Sequence, residues 1–128
     1  MERNWIKGRV FVVDDDPVLL TFLEGALAKS GYLVQAFESA RSALHAAAMD
    51  KPSIWLIDIR MPDVDGTELL KMLRADEAHR DTPVVMLTGD GRLDRIAAAM
   101  GAGATTYLLK PFSPQQVVEK VYAVLNLR

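Results

Sequence analysis

Five short apolar segments, rich in valine, isoleucine and leucine, recur along the chain and limit its possible folds more than any other feature. They occupy residues 10–13, 33–37, 54–57, 84–87 and 107–109. Each has the length of a buried strand, and each is followed by a segment whose apolar residues repeat at the spacing of an amphipathic helix. Because strands that are apolar on both faces need cover on both faces, the alternation predicts an α/β fold with a parallel sheet between layers of helices.

The helical segments each carry one apolar stripe, and several of their ends carry capping signals. The stripe residues, in chain order, are Leu19, Phe22, Leu23, Ala26 and Leu27; Ala40, Ala43, Leu44, Ala47 and Ala48; Leu69, Leu70 and Leu73; Leu93, Ile96, Ala97 and Met100; and Val117, Val118, Val121, Val124 and Leu125. Asp16, which precedes a proline, is a predicted N-cap, and Ser113 is placed to form a capping box with Gln116. Gly31 is placed to end the first helix in a left-handed conformation.

Length and charge favour a single soluble domain. The chain has 128 residues, no cysteine, and a formal net charge of -2 from 17 acidic and 15 basic side chains. A chain of this length can bury a core without disulfides or zinc, so we expect one domain over residues 1–128, with its core from about 8 to 127 and no output domain. The weakly acidic balance argues against nucleic acid or a membrane as partner. The chain also lacks a signal peptide or a membrane-spanning segment, which favours the cytoplasm.

Trp5, His45 and His79 are interpreted as residues outside the chemistry of the protein. Trp5 precedes the first strand and is assigned to the chain end or to a docking segment. The two histidines occupy polar helical or loop positions, so we expect both at the surface, where neither serves as a ligand or carries a phosphoryl group.

A polar residue follows each of the five predicted strands, with Glu38 after the second, and those after the other four make up one candidate site. In a sheet of this kind, ligands bind outside the carboxyl ends of the strands. The residues at those ends are Asp14, Asp15 and Asp16 after the first strand, Asp58 after the third, Thr88 after the fourth and Lys110 after the fifth. Clustered carboxylates repel one another unless a cation or proton neutralises them, and oxygen ligands without histidine or cysteine favour Mg²⁺ over Zn²⁺. Magnesium beside a hydroxyl and a lysine suggests phosphoryl transfer, with an aspartate as the nucleophile.

The motifs at these strand ends resemble those of a known family. They are Val12-Val13-Asp14-Asp15-Asp16, Asp58 followed by Met61-Pro62 and Asp65-Gly66, Leu87-Thr88-Gly89, and Tyr107-Leu108-Leu109-Lys110-Pro111-Phe112. In order and spacing they resemble the receiver domain of two-component response regulators, and the resemblance covers essentially the whole chain. It implies a flavodoxin-like (βα)5 fold with the strand order 2-1-3-4-5.

The resemblance also assigns roles to the acidic residues. It implies that Asp58 accepts the phosphoryl group and contributes to a Mg²⁺ site. Asp15 would bind the metal directly, Asp14 mainly through water, and Arg60 through its backbone carbonyl.

Further roles follow from the same resemblance. Thr88 and Lys110 would contact phosphoryl oxygens, and Lys110 would precede a cis proline. Thr88 would also act in a switch with Tyr107, an aromatic residue whose inward or outward position reports activation.

The resemblance implies a signalling function rather than turnover of a separate substrate. The phosphoryl donor would be a sensor histidine kinase or a histidine phosphotransfer protein. The domain would catalyse only its own phosphorylation and dephosphorylation. It would contact a downstream protein through the face formed by the fourth helix, fifth strand and fifth helix.

Two alternatives remain open from the sequence. A haloacid-dehalogenase-like phosphatase would use Asp14 as nucleophile, with Asp16, Thr88 and Lys110 in its other motifs. That class also needs an acidic motif after the lysine, where this chain offers only Glu119 within a helical pattern. The other alternative is a receiver-like interaction domain that is never phosphorylated.

Arg60 and Asp90 are expected to flank the opening of the site. Arg60 lies two residues beyond Asp58, and Asp90 lies two residues beyond Thr88. Their opposite charges either pair across the opening, which would slow the approach of water to a phosphoryl group, or remain separately solvated.

Overall fold

A computed structural model describes residues 6–126, which alternate strand and helix five times. The elements are β1 Arg9–Val13, α1 Pro17–Lys29, β2 Leu33–Phe37, α2 Ala40–Ala47, β3 Ile54–Asp58, α3 Gly66–Ala75, β4 Val84–Thr88, α4 Leu93–Gly101, β5 Thr106–Leu109 and α5 Pro114–Asn126. Trp5 and the predicted core boundary at residue 127 lie outside the described residues. Within residues 6–126, no helix combines the length and the apolar character needed to span a bilayer.

The five strands form one parallel sheet in the order β2-β1-β3-β4-β5. Both the fold class and the strand order expected from the sequence are therefore confirmed. The order reverses between β1 and β3, since β2 lies on the far side of β1 and β4 lies on the far side of β3. Ligand sites in such sheets form beside this reversal, at the carboxyl ends of the strands.

Alternate residues along each central strand enter two separate apolar cores. Phe11 and Val13 of β1 pack with α2 and α3 on one face of the sheet. Val10 and Val12 pack with α1 and α5 on the other face. Because both faces are covered by helices, β1, β3 and β4 are almost entirely buried. The continuous apolar runs in the sequence have this physical origin.

The predicted helix ends are confirmed. The Asp16 carboxylate accepts hydrogen bonds from the Val18 and Leu19 amides at 3.0 and 3.4 Å. Gly31 adopts φ +101° directly after the C-cap of α1, a conformation that is unfavourable for residues with a Cβ. Ser113 and Gln116 form a reciprocal capping box at the start of α5.

Most of the apolar stripe predicted for α4 is exposed rather than buried. Leu93 is 83 % exposed and Met100 is 42 % exposed, whereas Ala99 is the buried residue of this fully described helix. Ile96 is partly buried. Helical periodicity identifies residues that share a face, but it does not show that another element covers that face.

The expected surface position of His79 is also wrong. Its side chain is buried in the loop between α3 and β4, and its ring packs edge-on against Trp55 at a centroid distance of 6.0 Å. The Arg74 guanidinium holds this loop by donating to the carbonyls of His79, Arg80 and Thr82. These contacts fold the loop over the indole, an arrangement that local polarity does not reveal.

Candidate functional site

The sheet brings Asp14, Asp58, Thr88 and Lys110 together at one edge. Asp14 and Lys110 directly follow β1 and β5, and Asp58 and Thr88 are the last residues of β3 and β4. Parallel strands all end on the same side, so four separate chain segments deliver side chains to this edge. Asp58, Thr88 and Lys110 line a cleft of about 620 Å³, which also includes Arg60.

Three carboxylates form the acidic part of the site. Oxygens of Asp14, Asp15 and Asp58 all lie within 4.8 Å of one another. Asp14 is fully buried, Asp58 is 7 % exposed and Asp15 is exposed. With one neighbouring ammonium, that of Lys110, the three carboxylates leave two excess negative charges. A divalent cation would balance them, so the charge, donor type and spacing all fit Mg²⁺.

Lys110 connects two of the carboxylates. Its Nζ donates to Asp14 Oδ2 at 3.1 Å and to Asp58 Oδ1 at 3.0 Å. Burial alone would lower the pKa of Lys110, but the hydrogen bonds with Asp58 and Asp14 outweigh it and raise the pKa. Lys110 therefore remains an ammonium. Its peptide bond to Pro111 is cis, as expected from the resemblance.

Burial and neighbouring acids determine the ionisation of Asp58. Burial raises its pKa most, the hydrogen bond from Lys110 opposes this effect, and the charges of Asp14 and Asp15 raise the pKa further. The pKa of Asp58 thus rises despite its ammonium partner, because burial, together with the charges of the two neighbouring carboxylates, outweighs the effect of Lys110. A cation bound at the cluster would favour the ionised, nucleophilic form of Asp58.

The Thr88 hydroxyl bonds to the loop after β4. Its Oγ1 accepts from the Asp90 amide at 2.9 Å and donates to the Asp90 carbonyl at 3.3 Å. The Thr88 side chain is 5 % exposed and lines the cleft beside Asp58.

The possible ion pair between Arg60 and Asp90 is absent from the described residues. The Asp90 carboxylate is instead bound by Arg92, with Nε at 3.0 Å and Nη2 at 2.9 Å, and Arg95 lies 3.9 Å away. The hydrogen bond from Arg92 lowers the pKa of Asp90 to about 2. The bidentate guanidinium fork is local in sequence, so Asp90 has a nearer and better-oriented partner than Arg60.

Within residues 6–126, neither Tyr107 nor Arg60 makes a contact that defines its role. Tyr107 pairs with Met86 across β5 and β4 and is partly buried against the α2–α3 side of the core. Arg60 is exposed at the rim of the cleft. The switch role of Tyr107 and the metal-binding role of the Arg60 carbonyl stay predictions.

Asp63 positions the loop after β3, a role that sequence reasoning missed. Its Oδ1 accepts from the Ala40 amide at 3.2 Å and its Oδ2 from the Arg41 amide at 2.9 Å. The carboxylate thus connects the loop that follows Asp58 to the first turn of α2. An acidic residue in a loop was the only available signal, because its partner lies more than twenty residues earlier in the chain.

We expect Asp63→Ala to reduce the free energy of unfolding by about 1 kcal/mol at neutral pH, as loss of a helix cap does. The hydrogen bond from Arg41, followed by that from Ala40, lowers the pKa of Asp63 below its unfolded value. This stability is therefore present above the unfolded pKa and is lost as pH falls through the folded pKa. Urea unfolding at neutral pH and near pH 3 checks this, and the difference between wild type and variant should shrink in acid.

Asp50→Ala provides the matched control for Asp63→Ala. Asp50 is an exposed acid just beyond the other end of α2, where a negative charge opposes the helix dipole. Its removal should leave stability unchanged or slightly raised. An equal loss in both variants would contradict the proposed capping role of Asp63.

Known proteins resemble this chain in both sequence and fold. A sequence model of the response regulator receiver domain matches residues 10–122. The DNA-binding transcriptional regulator NtrC of Escherichia coli (strain K12) is 40 % identical over 120 residues, which cover 94 % of this chain and 25 % of NtrC. The transcriptional regulatory protein PrrA of Mycobacterium tuberculosis is 38 % identical over 128 residues, which cover all of this chain and 54 % of PrrA.

A solved structure agrees with these relatives. The chemotaxis response regulator CheY4 of Vibrio cholerae superposes with a TM-score of 0.88 at 29 % identity, covering 91 % of this chain and 98 % of that one. The chain spans about a quarter of the length of NtrC and about half of the length of PrrA.

Proposed function

The chain belongs to the response regulator receiver domain family, and we propose that it accepts a phosphoryl group on the carboxylate of Asp58. The donor is a phosphohistidine on a sensor kinase or on a phosphotransfer protein. The domain acts as a catalyst only on itself, first for this transfer and later for hydrolysis of its own acyl phosphate.

One observation carries this proposal: the Asp58 carboxylate faces a cleft while an ammonium and two further carboxylates surround it. Asp58 Oδ1 lies 3.0 Å from Lys110 Nζ. Asp14, the other aspartate bound to this lysine, is fully buried, and its Oδ1 already accepts the Asp16 amide at 3.0 Å. Asp58 is therefore the carboxylate that an incoming phosphorus can approach from the cleft.

Asp14, Asp15, Asp58 and the carbonyl of Arg60 would hold Mg²⁺. The bound ion supplies positive charge beside the phosphoryl oxygens. Because Mg²⁺ retains several waters, a small number of protein oxygens is sufficient to bind it.

The transfer itself requires positioned charges more than acid–base chemistry. A carboxylate oxygen of Asp58 forms a bond to phosphorus while the bond from phosphorus to the imidazole nitrogen breaks, and the departing imidazole acquires a proton from water. Lys110 places its ammonium beside the transferring oxygens, where negative charge is concentrated. In hydrolysis, water displaces the Asp58 carboxylate and releases inorganic phosphate.

Phosphorylation would signal through Thr88 and Tyr107. The Thr88 hydroxyl turns towards a phosphoryl oxygen, Tyr107 moves into the vacated space, and the surface of α4, β5 and α5 changes for a downstream protein. NtrC is named as a DNA-binding regulator and corresponds to this chain over about a quarter of its length. We propose that this chain itself makes no DNA contact, because its net charge of -2 lacks the basic excess that nucleic-acid binding favours.

Incubation with acetyl phosphate and Mg²⁺ tests the proposed function. We expect one phosphoryl group per chain, with peptide mapping after borohydride reduction locating it at Asp58, and little incorporation in the presence of EDTA. Failure of the wild-type chain to incorporate phosphate from either acetyl phosphate or phosphoramidate would favour the non-phosphorylated interaction domain.

Magnesium is expected to stabilise the fold because it relieves repulsion within the acidic cluster. At a Mg²⁺ concentration a hundred times the dissociation constant, binding adds about 2.7 kcal/mol to the free energy of unfolding. Asp15→Asn should raise the melting temperature without metal and remove most of the response to magnesium, measured by thermal unfolding across a Mg²⁺ titration.

Asp16→Asn is the control for the magnesium response. Asparagine caps a helix about as well as aspartate does, so the cap of α1 should persist. This variant should retain the magnesium response of the wild type. A full response in Asp15→Asn would rule out Asp15 as a ligand.

A further inference from the structure

Asp90 joins two parts of the molecule that the proposed function requires to move. Its backbone amide donates to the Thr88 hydroxyl oxygen at 2.9 Å, and its backbone carbonyl accepts from the same hydroxyl at 3.3 Å. The single proton of that hydroxyl is therefore directed at Asp90 rather than at the cleft. A phosphoryl oxygen on Asp58 must compete with the Asp90 carbonyl for it.

The carboxylate of Asp90 binds the start of α4. Its oxygens accept from the Arg92 side chain at 2.9 to 3.2 Å and from the Arg92 backbone amide at 3.1 Å. Arg92 is the N-cap residue of α4 and offers no side-chain cap of its own. Asp90 thereby supplies a side-chain acceptor just before a helix whose own N-cap residue supplies none.

The beginning of α4 has few other anchors. Leu93, its first residue, is 83 % exposed, and the buried contact of the helix, at Ala99, lies near the opposite end. The position of the first turn thus depends strongly on Asp90 and its two arginine neighbours.

We propose that Asp90 is a positioning residue that couples the Thr88 hydroxyl to the first turn of α4 and stabilises the unphosphorylated state. This inference rests on the proposed function. The backbone of Asp90 holds the hydroxyl away from Asp58, while its carboxylate holds the loop in place through Arg92. Phosphorylation breaks the hydrogen bonds between Asp90 and the Thr88 hydroxyl and frees the loop. By linkage, weakening the contacts between Asp90 and Arg92 strengthens binding of a phosphoryl group.

Arg92→Ala tests the coupling because the coupling and simple electrostatics predict opposite changes in anion affinity. Removing a positive charge near the site weakens anion binding by Coulomb attraction alone, whereas release of Asp90 strengthens it. We expect the affinity for beryllium trifluoride, a phosphoryl analogue, to rise by about two- to fivefold at saturating Mg²⁺, the range that one exposed ion pair can supply. Calorimetric titration measures the affinity, and hydrogen exchange of α4 amides in the free protein should accelerate.

Two further variants isolate the role of the Thr88 hydroxyl and of surface charge. In a Thr88→Val background, Arg92→Ala should no longer raise the affinity, because the competing hydroxyl is absent. Lys71→Ala removes an equally exposed cation from the pair with Glu68 and should change neither the affinity nor the exchange of α4.

The outcomes separate the coupling from the function. Unchanged or weaker binding in Arg92→Ala, or an increase that persists in the Thr88→Val background, would overturn the role of Asp90. Wild-type protein that binds no beryllium trifluoride and incorporates no phosphate would overturn the proposed function instead.

Discussion

Asp58→Asn is expected to abolish phosphoryl incorporation from acetyl phosphate while leaving the fold intact. The amide has nearly the shape of the carboxylate but lacks its anionic nucleophilic oxygen, so no acyl phosphate forms. Removing one of three crowded carboxylates also reduces repulsion within the cluster, so stability should not fall. Incorporation is measured by intact mass or by radiolabelled donor, with circular dichroism as the check on folding.

Asp14→Asn is the matched control for this experiment. It removes a carboxylate from the same cluster and from the same lysine, whose Nζ lies 3.1 Å from Asp14. If Asp14 mainly helps to bind the metal, incorporation should be slower and need more Mg²⁺, yet still reach one group per chain. A label on Asp14 that survives Asp58→Asn would support the phosphatase alternative.

The sequence predicts the strands of the sheet well because each strand is marked by a whole apolar segment rather than by a single residue. Every strand expected from an apolar run is present, and the bounds differ by at most one residue, as where Arg9 extends β1 and Thr106 extends β5. Burial on both faces acts on whole segments, so single substitutions hardly disturb the pattern. The strand order, by contrast, depended on the family resemblance, because periodicity carries no information about which strands are neighbours.

The errors at single residues have a different physical cause, which is contact with other segments of the chain. Leu93 and His79 were placed by local patterns, but their exposure depends on whether another segment covers them. Asp90 was considered with Arg60 because both flank the site, yet it pairs with a residue two positions away. Side-chain partners depend on rotamers and on loop paths, which the sequence pattern does not encode.

Gly66 illustrates a constraint that the sequence motif contains but does not explain. It is the first residue of α3, and its amide donates to the Ile59 carbonyl at 2.7 Å. A Cβ at this position would lie 2.1 Å from the Asp58 carbonyl oxygen and 2.8 Å from the Ile59 Cα. Both obstacles are backbone atoms, so no side-chain rotation relieves the clash. The end of β3 and the start of α3 approach this closely only because residue 66 has no side chain.

We therefore expect Gly66→Ala to cost about 3 kcal/mol or more of unfolding free energy, at the upper end of overpacking effects. Gly25→Ala is its control, because a Cβ there meets nothing within 4 Å and alanine in a helix interior is favoured by up to about 1 kcal/mol. Urea unfolding should thus show a lower free energy of unfolding for Gly66→Ala and a higher one for Gly25→Ala. Any Gly66→Ala protein that folds should also phosphorylate slowly, because the backbone shift displaces Asp58 from Lys110. Wild-type stability in this variant would show that the two backbones do not pack as closely as described.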